Sequence, residues 1–302
     1  MNIVVVGAGA IGSLFGGLLA SHHQVTLLGR QQHMQAVKDY GLKITGKTTL
    51  HVLLNAVTSA QDINDTPDLI LLTVKAYDTK NAVQDIRTLL GENSLVLTLQ
   101  NGLDNLEIIT SILGIKNILA GVTTHGAILE KPGTILHTGK GTTSIGELHG
   151  QQTTRLKKLV HEFNKAGIET RVTSSIQKEI WMKAIVNASI NTLTALFECK
   201  NGVLDENPLL HRFVEIICAE STQIAQTHNI PIRYEEAIQR TKEVINQTSE
   251  NRSSMLQSLD KKKPTEIQAI TGALINKGKQ QGCTTEINQI IYQVISSLDN
   301  YK

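Results

Sequence analysis

Hydrophobic and polar positions follow two different patterns along the chain, and the pattern changes near residue 174. Before that point, short apolar runs alternate with helical patterns, which is typical of a parallel sheet covered by helices on both faces. The predicted parallel strands are Ile3–Val6, Val25–Leu28, Leu69–Val74, Leu95–Leu99 and Ile118–Gly121. The pattern therefore predicts a doubly wound α/β domain over residues 1–173.

Four further apolar segments of this half lie close together in pairs. We expect Leu42–Ile44 and Leu50–Leu53 to form an inserted hairpin. We expect Ile135–His137 and Thr143–Ile145 to form two antiparallel strands, joined by a glycine-rich turn, that finish the sheet. Two more elements are predicted to end the domain, a helix over Thr154–Lys165 and a short strand over Glu169–Val172.

From about Ser175 onward the strand signals vanish, and apolar residues recur at helical spacing. Pro208 and Pro264 lie where two of the helices begin, a position that tolerates proline. We therefore predict an all-helical domain over residues 174–302. Its predicted helices are Ile176–Cys199, Leu209–His228, Tyr234–Thr248, Thr265–Gln281 and Thr285–Leu298.

The first predicted strand runs directly into a glycine-rich turn that opens a helix. In this G-x-G-x-x-G pattern, Gly7 permits the tight turn, Gly9 lets phosphates approach the backbone, and Gly12 lets helix and strand pack closely. The N–H groups at the helix N-terminus face the anion. A signal peptide or a membrane span is disfavoured, because glycines interrupt the stretch and a basic start is missing. The segment therefore predicts a Rossmann-type dinucleotide site over Gly7-Ala8-Gly9-Ala10-Ile11-Gly12.

The end of the second strand indicates which dinucleotide is bound. An NAD-specific domain usually has Asp or Glu there to hold the ribose 2′-hydroxyl. Here Val25–Leu28 is followed by Gly29 and Arg30, so a guanidinium is present to pair with a 2′-phosphate. We predict NADP(H) as the cofactor, with the alternative that Arg30 is only a solvated loop charge.

Composition excludes several other classes of protein. The net charge of +2 and the aromatic content of 3% do not suit a nucleic-acid binder. Three cysteines without C-x-x-C spacing argue against a disulfide scaffold and against a zinc site, so no metal is expected. We expect a soluble, cytoplasmic protein that acts on a small molecule, with no nucleic-acid or membrane partner.

Polar residues also follow three other predicted strands of the sheet. In open α/β sheets, ligands lie outside the carboxyl ends of the strands. Lys75 is placed to contact cofactor phosphate or ribose, or is a surface charge, and Asn101 lines the same crevice or is a turn residue. His125 is more typical of a structural histidine, and we do not select it.

The first helix of the second half carries polar residues at a regular spacing. Lys183, Asn187 and Asn191 follow each other at four-residue intervals and therefore share one face of the helix. Apolar residues surround them, and buried polar groups are costly unless they face each other, water or a ligand. The pattern predicts one wall of a ligand site, with capping of neighbouring loops as the alternative. Farther on, spacing alone gives Glu266 no role beyond stabilising a helix N-terminus.

Taken together, these residues resemble the ketopantoate reductase family (2-dehydropantoate 2-reductase) over essentially the whole chain. The segment from Trp181 to Ala195 carries the resemblance; its part from Lys183 to Ala195 and the segment from Ser253 to Gln257 are specific to the family, whereas the glycine motif is not. The resemblance implies a Rossmann domain joined to a helical domain, with NADPH and ketopantoate between them, and an enzyme of pantothenate and coenzyme A biosynthesis. The other matching segments are Val74-Lys75, Gln100-Asn101-Gly102, Asn201-Gly202 and Thr265-Glu266-Ile267.

The resemblance also implies roles for single residues. Lys183 matches the proton donor, and Glu266 matches a carboxylate beside cofactor and substrate. Asn101 matches a residue that contacts both ligands, and Ala127 matches a backbone contact on the nicotinamide side. The remaining implied substrate contacts are Asn187, Asn191, Asn201 and Ser254.

Two positions depart from the family pattern: Gln268 stands where many relatives have Asp, and Thr192 where many have Pro. Both departures leave the reacting groups in place and bear on substrate preference. The alternatives are a reductase of another branched 2-oxo acid and a non-catalytic NADP-sensing regulator. A homodimer is compatible with such a fold, but the sequence shows no surface for it.

Overall fold

In the computed structural model, which describes residues 1–300, contacts divide the chain into two units. The first unit holds Met1–Gln100 and Asn105–Ile176. The second holds the chain from Gln177 onward together with the short segment Asn101–Asp104. The sequence alone gives no sign that these four residues separate from their neighbours.

The first unit is built mainly of short strands. In chain order they are β1 (Asn2–Val6), β2 (Gln24–Leu28), β3 (Leu42–Gly46), β4 (Leu50–Val52), β5 (Asn55–Val57), β6 (Leu69–Leu72), β7 (Leu95–Thr98), β8 (Ile118–Thr123), β9 (Gly126–Lys131), β10 (Thr134–Gly139), β11 (Thr143–Glu147) and β12 (Thr170–Val172). Its helices are α1 (Ala10–Leu19), α2 (Gln31–Tyr40), α3 (Thr79–Ile86), α4 (Asn105–Leu113) and α5 (Thr154–Lys165).

Eight of these strands form the main sheet, in the order β12-β11-β8-β7-β6-β1-β2-β5. The six strands from β8 to β5 are parallel, and β11 runs antiparallel to β8. All four residues of β6 are buried, as expected for a strand covered by helices on both faces. The doubly wound α/β domain is confirmed, with β6 ending at Leu72, two residues earlier than predicted.

A second, four-stranded sheet has the order β4-β3-β10-β9. The predicted hairpin is confirmed, because β3 and β4 pair antiparallel. The predicted pairing of Ile135–His137 with Thr143–Ile145 is wrong. β10 pairs with β9 and β3, whereas β11 pairs with β8 in the main sheet. The reason is that Gly126–Lys131, for which the sequence predicts no strand, forms a strand that turns back at Gly133 and pairs with one edge of β10.

The second unit is helical. Its helices are α6 (Ile176–Leu196), α7 (Val203–Glu206), α8 (Pro208–Thr227), α9 (Tyr234–Gln247), α10 (Ser254–Asp260), α11 (Ala273–Gln280) and α12 (Glu286–Asn300), and a π-helical turn over Gln268–Gly272 leads into α11. The Asn207 side chain caps α8, accepting from the backbone N–H groups of Leu209 and Leu210, with Pro208 at the first helical position. The core includes Ile185, Leu193, Ile217 and Leu274.

Two helices of this unit, α7 and α10, are shorter than the sequence pattern can reveal. Ser253 caps the N-terminus of α10, since its hydroxyl accepts the Leu256 N–H at 3.2 Å. Within residues 1–300, no helix combines the length and the apolar character that crossing a bilayer requires.

Candidate active site

The turn after β1 has a shape that requires glycine. The N–H groups of Gly7 and Ala8 both donate to the Leu28 carbonyl oxygen of β2, at 3.0 Å each. Gly7 has φ +92°, and a Cβ there would lie 2.5 Å from the Val74 backbone nitrogen. A Cβ on Gly12 would meet the Gly7 carbonyl oxygen at 2.5 Å. Both glycines are therefore needed for packing of the turn itself.

Gly9 differs from its two neighbours in the motif. Its φ of −87° is open to any residue, and among residues 1–300 the nearest atom to a Cβ there is 3.8 Å away. Within the same residues, no side chain caps α1 and its first turn holds no acidic residue. A bare backbone face beside an uncapped helix N-terminus fits the pyrophosphate of a nicotinamide dinucleotide.

Two basic side chains follow the strands on either side of β1. Arg30 lies between β2 and α2, directly before the helix, and its side chain is 80% exposed. Its guanidinium Nη2 lies 3.9 Å from the Asp78 carboxylate, an exposed pair that contributes little to stability. Lys75 follows β6, exposed, at the start of the short turn Ala76–Asp78. β1 lies between β2 and β6, and the three strands are parallel. Arg30 and Lys75 therefore lie at the same edge of the sheet as the glycine turn.

Ala127 and His125 lie farther along the chain of this unit. The structure places Ala127 in β9, opposite His137, and not in a loop after β8. His125 is buried, and its Nδ1 lies 3.2 Å from the Nε2 of His137. Burial and the neighbouring His137 lower the pKa of His125 to about 4, so it is neutral at pH 7 and unsuited to donate a proton. This environment is typical of a structural histidine, as the sequence indicates for His125.

In the second unit, α6 presents the predicted polar ladder within an apolar environment. Ile185, Ile190 and their apolar neighbours are buried in the core of the unit. Asn191 is buried, and its Nδ2 donates to the Ser254 hydroxyl at 3.5 Å. Asn187 is half-buried one turn earlier. Two of the predicted substrate contacts, on α6 and at the start of α10, are therefore in contact.

Lys183 and Glu266 interact electrostatically, although they are far apart in sequence. Glu266 is buried. Lys183 as a whole is half-buried, but its ammonium end is shielded from water. This burial lowers the pKa of Lys183 to about 8, and the negative charge of Glu266 opposes the shift. The result is an ammonium that is charged at pH 7 yet gives up its proton more readily than an ordinary lysine.

Asn201 lies in the loop between α6 and α7 and is buried. Its Nδ2 donates to the Thr248 hydroxyl at 2.8 Å, whereas its Oδ1 has no hydrogen-bond partner within the described chain. A buried acceptor of this kind loses free energy unless a water or a ligand donates to it. Asn201 thus offers a ligand an acceptor, and Thr248, directly after α9, rather than the α6 ladder holds its side chain.

Asn101 belongs to the four-residue segment that joins the second unit. The sequence leaves open whether Asn101 is itself the turn residue, and the structure assigns the positive φ of +99° to Gly102. The next residue, Leu103, donates its N–H to the Ala269 carbonyl oxygen at 3.3 Å. Asn101 is therefore held by the same unit as Lys183 and Glu266.

The sequence indicates no site role for two residues that support the site, Ser253 and Thr265. Ser253 accepts a hydrogen bond from the Thr194 hydroxyl at 2.7 Å, which ties the start of α10 and thus Ser254 to α6. Thr265 donates to the Asp299 carboxylate at 2.6 Å and so fixes the residue before Glu266. A serine before Met255 and Leu256 is a recognisable helix cap, but no local signal reveals the link to Asp299.

Comparisons with known proteins agree with this arrangement. The family described as "Ketopantoate reductase PanE/ApbA" matches residues 3–150, and its C-terminal counterpart matches residues 175–299. A 2-dehydropantoate 2-reductase of Pyrococcus abyssi is 38% identical, covering 98% of this chain and 97% of that protein. The enzyme of the same name from Halobacterium salinarum is 33% identical, covering 98% of each.

Solved structures show the same similarity. D-mandelate dehydrogenase with NADH and anilino(oxo)acetate superposes with a TM-score of 0.94 at 29% identity, covering 100% of this chain and 99% of that one. A 2-dehydropantoate 2-reductase from Geobacter metallireducens gives 0.92 at 26% identity, covering 98% and 99%. With family matches over both halves and relatives above 30% identity over nearly its full length, the chain belongs to the ketopantoate reductase family of oxidoreductases.

Proposed function

We propose that this chain reduces 2-dehydropantoate to pantoate with NADPH, as its relatives' names suggest. The observation that carries the proposal is the environment of Lys183. An ammonium with a pKa of about 8 interacts with the charge of a buried carboxylate and lies on one helical face with two asparagines. A structural lysine gains nothing from this environment, whereas a pKa near the working pH suits a proton donor to a carbonyl oxygen.

In the proposed reaction, bound NADPH supplies the hydride to the ketone carbon of the substrate. Lys183 donates a hydrogen bond to the carbonyl oxygen, stabilises the negative charge that develops there and then transfers its proton. Glu266 keeps Lys183 charged until that transfer, because its own charge raises the pKa of the lysine. Asn187, Asn191 and Ser254 would bind the hydroxyl and carboxylate groups of the substrate.

Asn201 and Asn101 complete the proposed substrate contacts. The unpartnered Oδ1 of Asn201 suits a hydroxyl donor, which a small hydroxylated oxo acid supplies. The family resemblance implies that Asn101 would contact both ligands, and by its contacts Asn101 belongs to the helical unit. Neutral donors and acceptors of this kind would position a substrate without a second strong cation beside Lys183.

We further propose that the cofactor is NADP(H). The backbone from Gly7 to Gly12 would hold the pyrophosphate, and Arg30 would pair with the 2′-phosphate. Arg30 is available for this because its pair with Asp78 is long and exposed. In the same proposal, Lys75 contacts phosphate or ribose, and Ala127 and Glu266 lie on the nicotinamide side.

A second candidate substrate class is another 2-oxo acid. It is favoured by the similarity to a D-mandelate dehydrogenase whose structure contains NADH and anilino(oxo)acetate. Gln268, which stands where many relatives have Asp, adds to this alternative. A non-catalytic NADP sensor is not favoured, since a sensor has no use for the Lys183 environment.

The deciding experiment compares kcat/KM of the purified protein for ketopantoate, 2-oxoisovalerate, 2-oxoisocaproate and phenylglyoxylate, each with NADPH and with NADH. We expect the highest value for ketopantoate with NADPH. A higher value for phenylglyoxylate would move the assignment to the second candidate, and equal use of NADH would overturn the cofactor assignment. If none of the four 2-oxo acids supported oxidation of NADPH or NADH, the result would favour the non-catalytic NADP sensor.

A cytoplasmic location is part of the same proposal. Cys199, Cys218 and Cys283 are free thiols, which suits a reducing compartment. Burial raises the pKa of Cys218 to about 11, so this thiol is unreactive and belongs to the packing of the helical unit.

A further inference from the structure

The helix after Glu266 begins with an unusual turn. Over Gln268–Gly272 the backbone is π-helical, and the chain returns to α-helical spacing at Ala273. The π-helix is rare in proteins, occurs mostly as single turns within α-helices, and is frequently found at functional sites. Where the spacing returns from five residues to four, the regular ladder of backbone hydrogen bonds skips one carbonyl, which can then accept from outside the helix.

In this turn the Ala269 carbonyl oxygen accepts a hydrogen bond from a distant part of the chain. Its donor is the Leu103 N–H, at 3.3 Å. The contact is close, because a Cβ on Gly102 would lie 2.5 Å from the same Ala269 oxygen. One end of the segment is also held, since the Lys277 ammonium of α11 lies 3.8 Å from Asp104. The segment Asn101–Asp104 is thus seated against the π turn and the helix that follows it.

The side chain of Gln268 fixes the other side of the turn. Its Oε1 accepts a hydrogen bond from the Tyr292 hydroxyl of α12 at 2.5 Å. Its amide also packs against Gly272, where a Cβ would lie 2.9 Å from Nε2. A residue with a side chain at position 272 would push this amide away from Tyr292. The π turn is therefore anchored to α12 by Gln268 and to the Asn101 segment by Ala269.

We propose that the π turn Gln268–Gly272 is a positioning element that places Asn101 and Glu266 together on the reacting groups. Glu266 directly precedes the turn, and the Ile270 N–H donates to the Glu266 carbonyl oxygen at 3.1 Å. Asn101 is carried on the segment that Ala269 holds. A shift of this single turn moves both residues, so Gly102, Gln268 and Tyr292 act on the reaction without touching the substrate. The inference rests on the proposed function of Lys183, Glu266 and Asn101.

The first test is Gly102→Ala, which places a methyl group against the Ala269 oxygen. Its matched control is Gly282→Ala, because Gly282 also has a positive φ, of +64°, and among residues 1–300 no atom lies within 4 Å of a Cβ there. Since displacement of a positioned group by about 1 Å can cost about 100-fold in rate, we expect kcat of Gly102→Ala to fall by about 10- to 100-fold. Gly282→Ala should retain wild-type kcat. Equal kcat values for the two variants would overturn the proposal.

The second test separates positioning from folding through the pH profile of kcat. Tyr292→Phe and Gln268→Met each remove the anchoring hydrogen bond, and Gln268→Glu restores an acceptor oxygen. When Glu266 is held less firmly, its charge raises the pKa of Lys183 less. The basic limb of the kcat profile should therefore move to lower pH in Tyr292→Phe and Gln268→Met, and return towards the wild-type position in Gln268→Glu. The exposed Tyr40→Phe is the control and should leave the limb in place. An unmoved limb in both anchor variants, at unchanged melting temperature, would contradict the proposal.

The third measurement needs no catalytic activity. Amide hydrogen exchange of a peptide covering residues 101–104 reports directly on the Leu103 hydrogen bond. We expect faster exchange in Gly102→Ala and Gln268→Met than in wild type and Gly282→Ala. If none of the 2-oxo acids supported NADPH oxidation by the wild-type protein, the proposed function alone would fail. The hydrogen-exchange rates would still decide whether the π turn holds the segment Asn101–Asp104. Unchanged exchange in Gln268→Met would show that it does not.

Discussion

The glycine turn of the first unit and the α6 site of the second are specified in opposite ways. The glycine turn depends on missing atoms: a Cβ on Gly7 or Gly12 would collide with backbone, and Gly9 leaves an open face. The α6 site depends on atoms that are costly to bury, above all the Lys183 ammonium with Glu266 opposite. In the proposed function, the turn would bind a group common to all dinucleotides, whereas the helix would carry the chemistry that distinguishes one reaction from another.

This difference also separates binding from turnover. Backbone N–H groups at a helix N-terminus hold an anion without taking part in proton transfer. An ammonium whose pKa lies near the working pH is suited to proton transfer and adds little to cofactor binding. Changes in the first unit should therefore act on cofactor affinity, and changes on α6 should act on kcat.

The strongest test of that separation is Lys183→Ala. We expect kcat to fall by about 10²- to 10⁴-fold, because the general acid is lost, while the NADPH dissociation constant stays nearly the same. Lys178→Ala on the same helix is the control, since its ammonium pairs with Glu236 at 2.8 Å on the outside of the unit. Steady-state kinetics and NADPH fluorescence titration measure the two effects, and near-wild-type turnover in Lys183→Ala would remove the lysine from the mechanism.

The opposite test is a pair of glycine variants in the turn. Gly9→Ala should weaken NADPH binding by about tenfold or more, about 1.4 kcal/mol, since the added methyl group occupies the phosphate face. It should lower protein stability only by the small cost of alanine at a helix cap, about 1 kcal/mol. Gly7→Ala should lower the melting temperature clearly, because its φ is +92° and its Cβ would collide with Val74. Calorimetry of the free proteins together with NADPH titration would show whether the two glycines differ in this way.

A milder change is expected at Arg30. Replacing it by alanine should raise the NADPH dissociation constant by about tenfold, within the range of a charge-assisted hydrogen bond at an exposed position. Binding of NADH should not change, because NADH lacks the 2′-phosphate. Arg87→Ala, an exposed arginine of the same unit, should affect neither cofactor. Equal losses for NADPH and NADH in Arg30→Ala would mean that Arg30 contributes only general positive charge.

The smallest effect concerns pH and the Lys183–Glu266 pair. The proposed reaction requires protonated Lys183, so kcat should decrease as the pH rises through about 8. Glu266→Gln removes a charge that raises this pKa, and the decrease should then begin at lower pH. The pH dependence of kcat at saturating NADPH measures the shift. A basic limb that stays in place would mean that another group limits turnover at high pH.

Much of the fold and of the site is predictable from local sequence. Apolar runs bounded by turn residues locate β1, β2 and β6, and helical spacing locates α6 and α8. The glycine motif and the Lys183–Asn187–Asn191 ladder are also local, because each lies on one turn or one helix face. In these cases the pattern of a single element determines its structure.

The parts that escaped prediction depend on contacts between distant residues. β10 pairs with β9 and β3, and the residues of β10 alone do not determine which of the two sheets it joins. The π turn at Gln268–Gly272 has the same residue types as an α-helix, so no periodicity marks it. The pairing of Glu266 with Lys183 is likewise invisible locally, and only the family resemblance drew attention to Glu266.

The crossing of Leu103 into the helical unit has a consequence for folding and for dissection of the protein. Leu103 is 6% exposed and belongs to the hydrophobic core of that unit, although the rest of this core comes from residues beyond 180. A fragment that starts at Gln177 would lack this leucine, and an empty leucine site costs about 2–5 kcal/mol. During folding, the helical core is complete only when Leu103, which lies between β7 and α4, packs into it. This contact has a long sequence separation, and such contacts slow folding. The two units are therefore not interchangeable modules, and the helical one should be stable only as part of the whole chain.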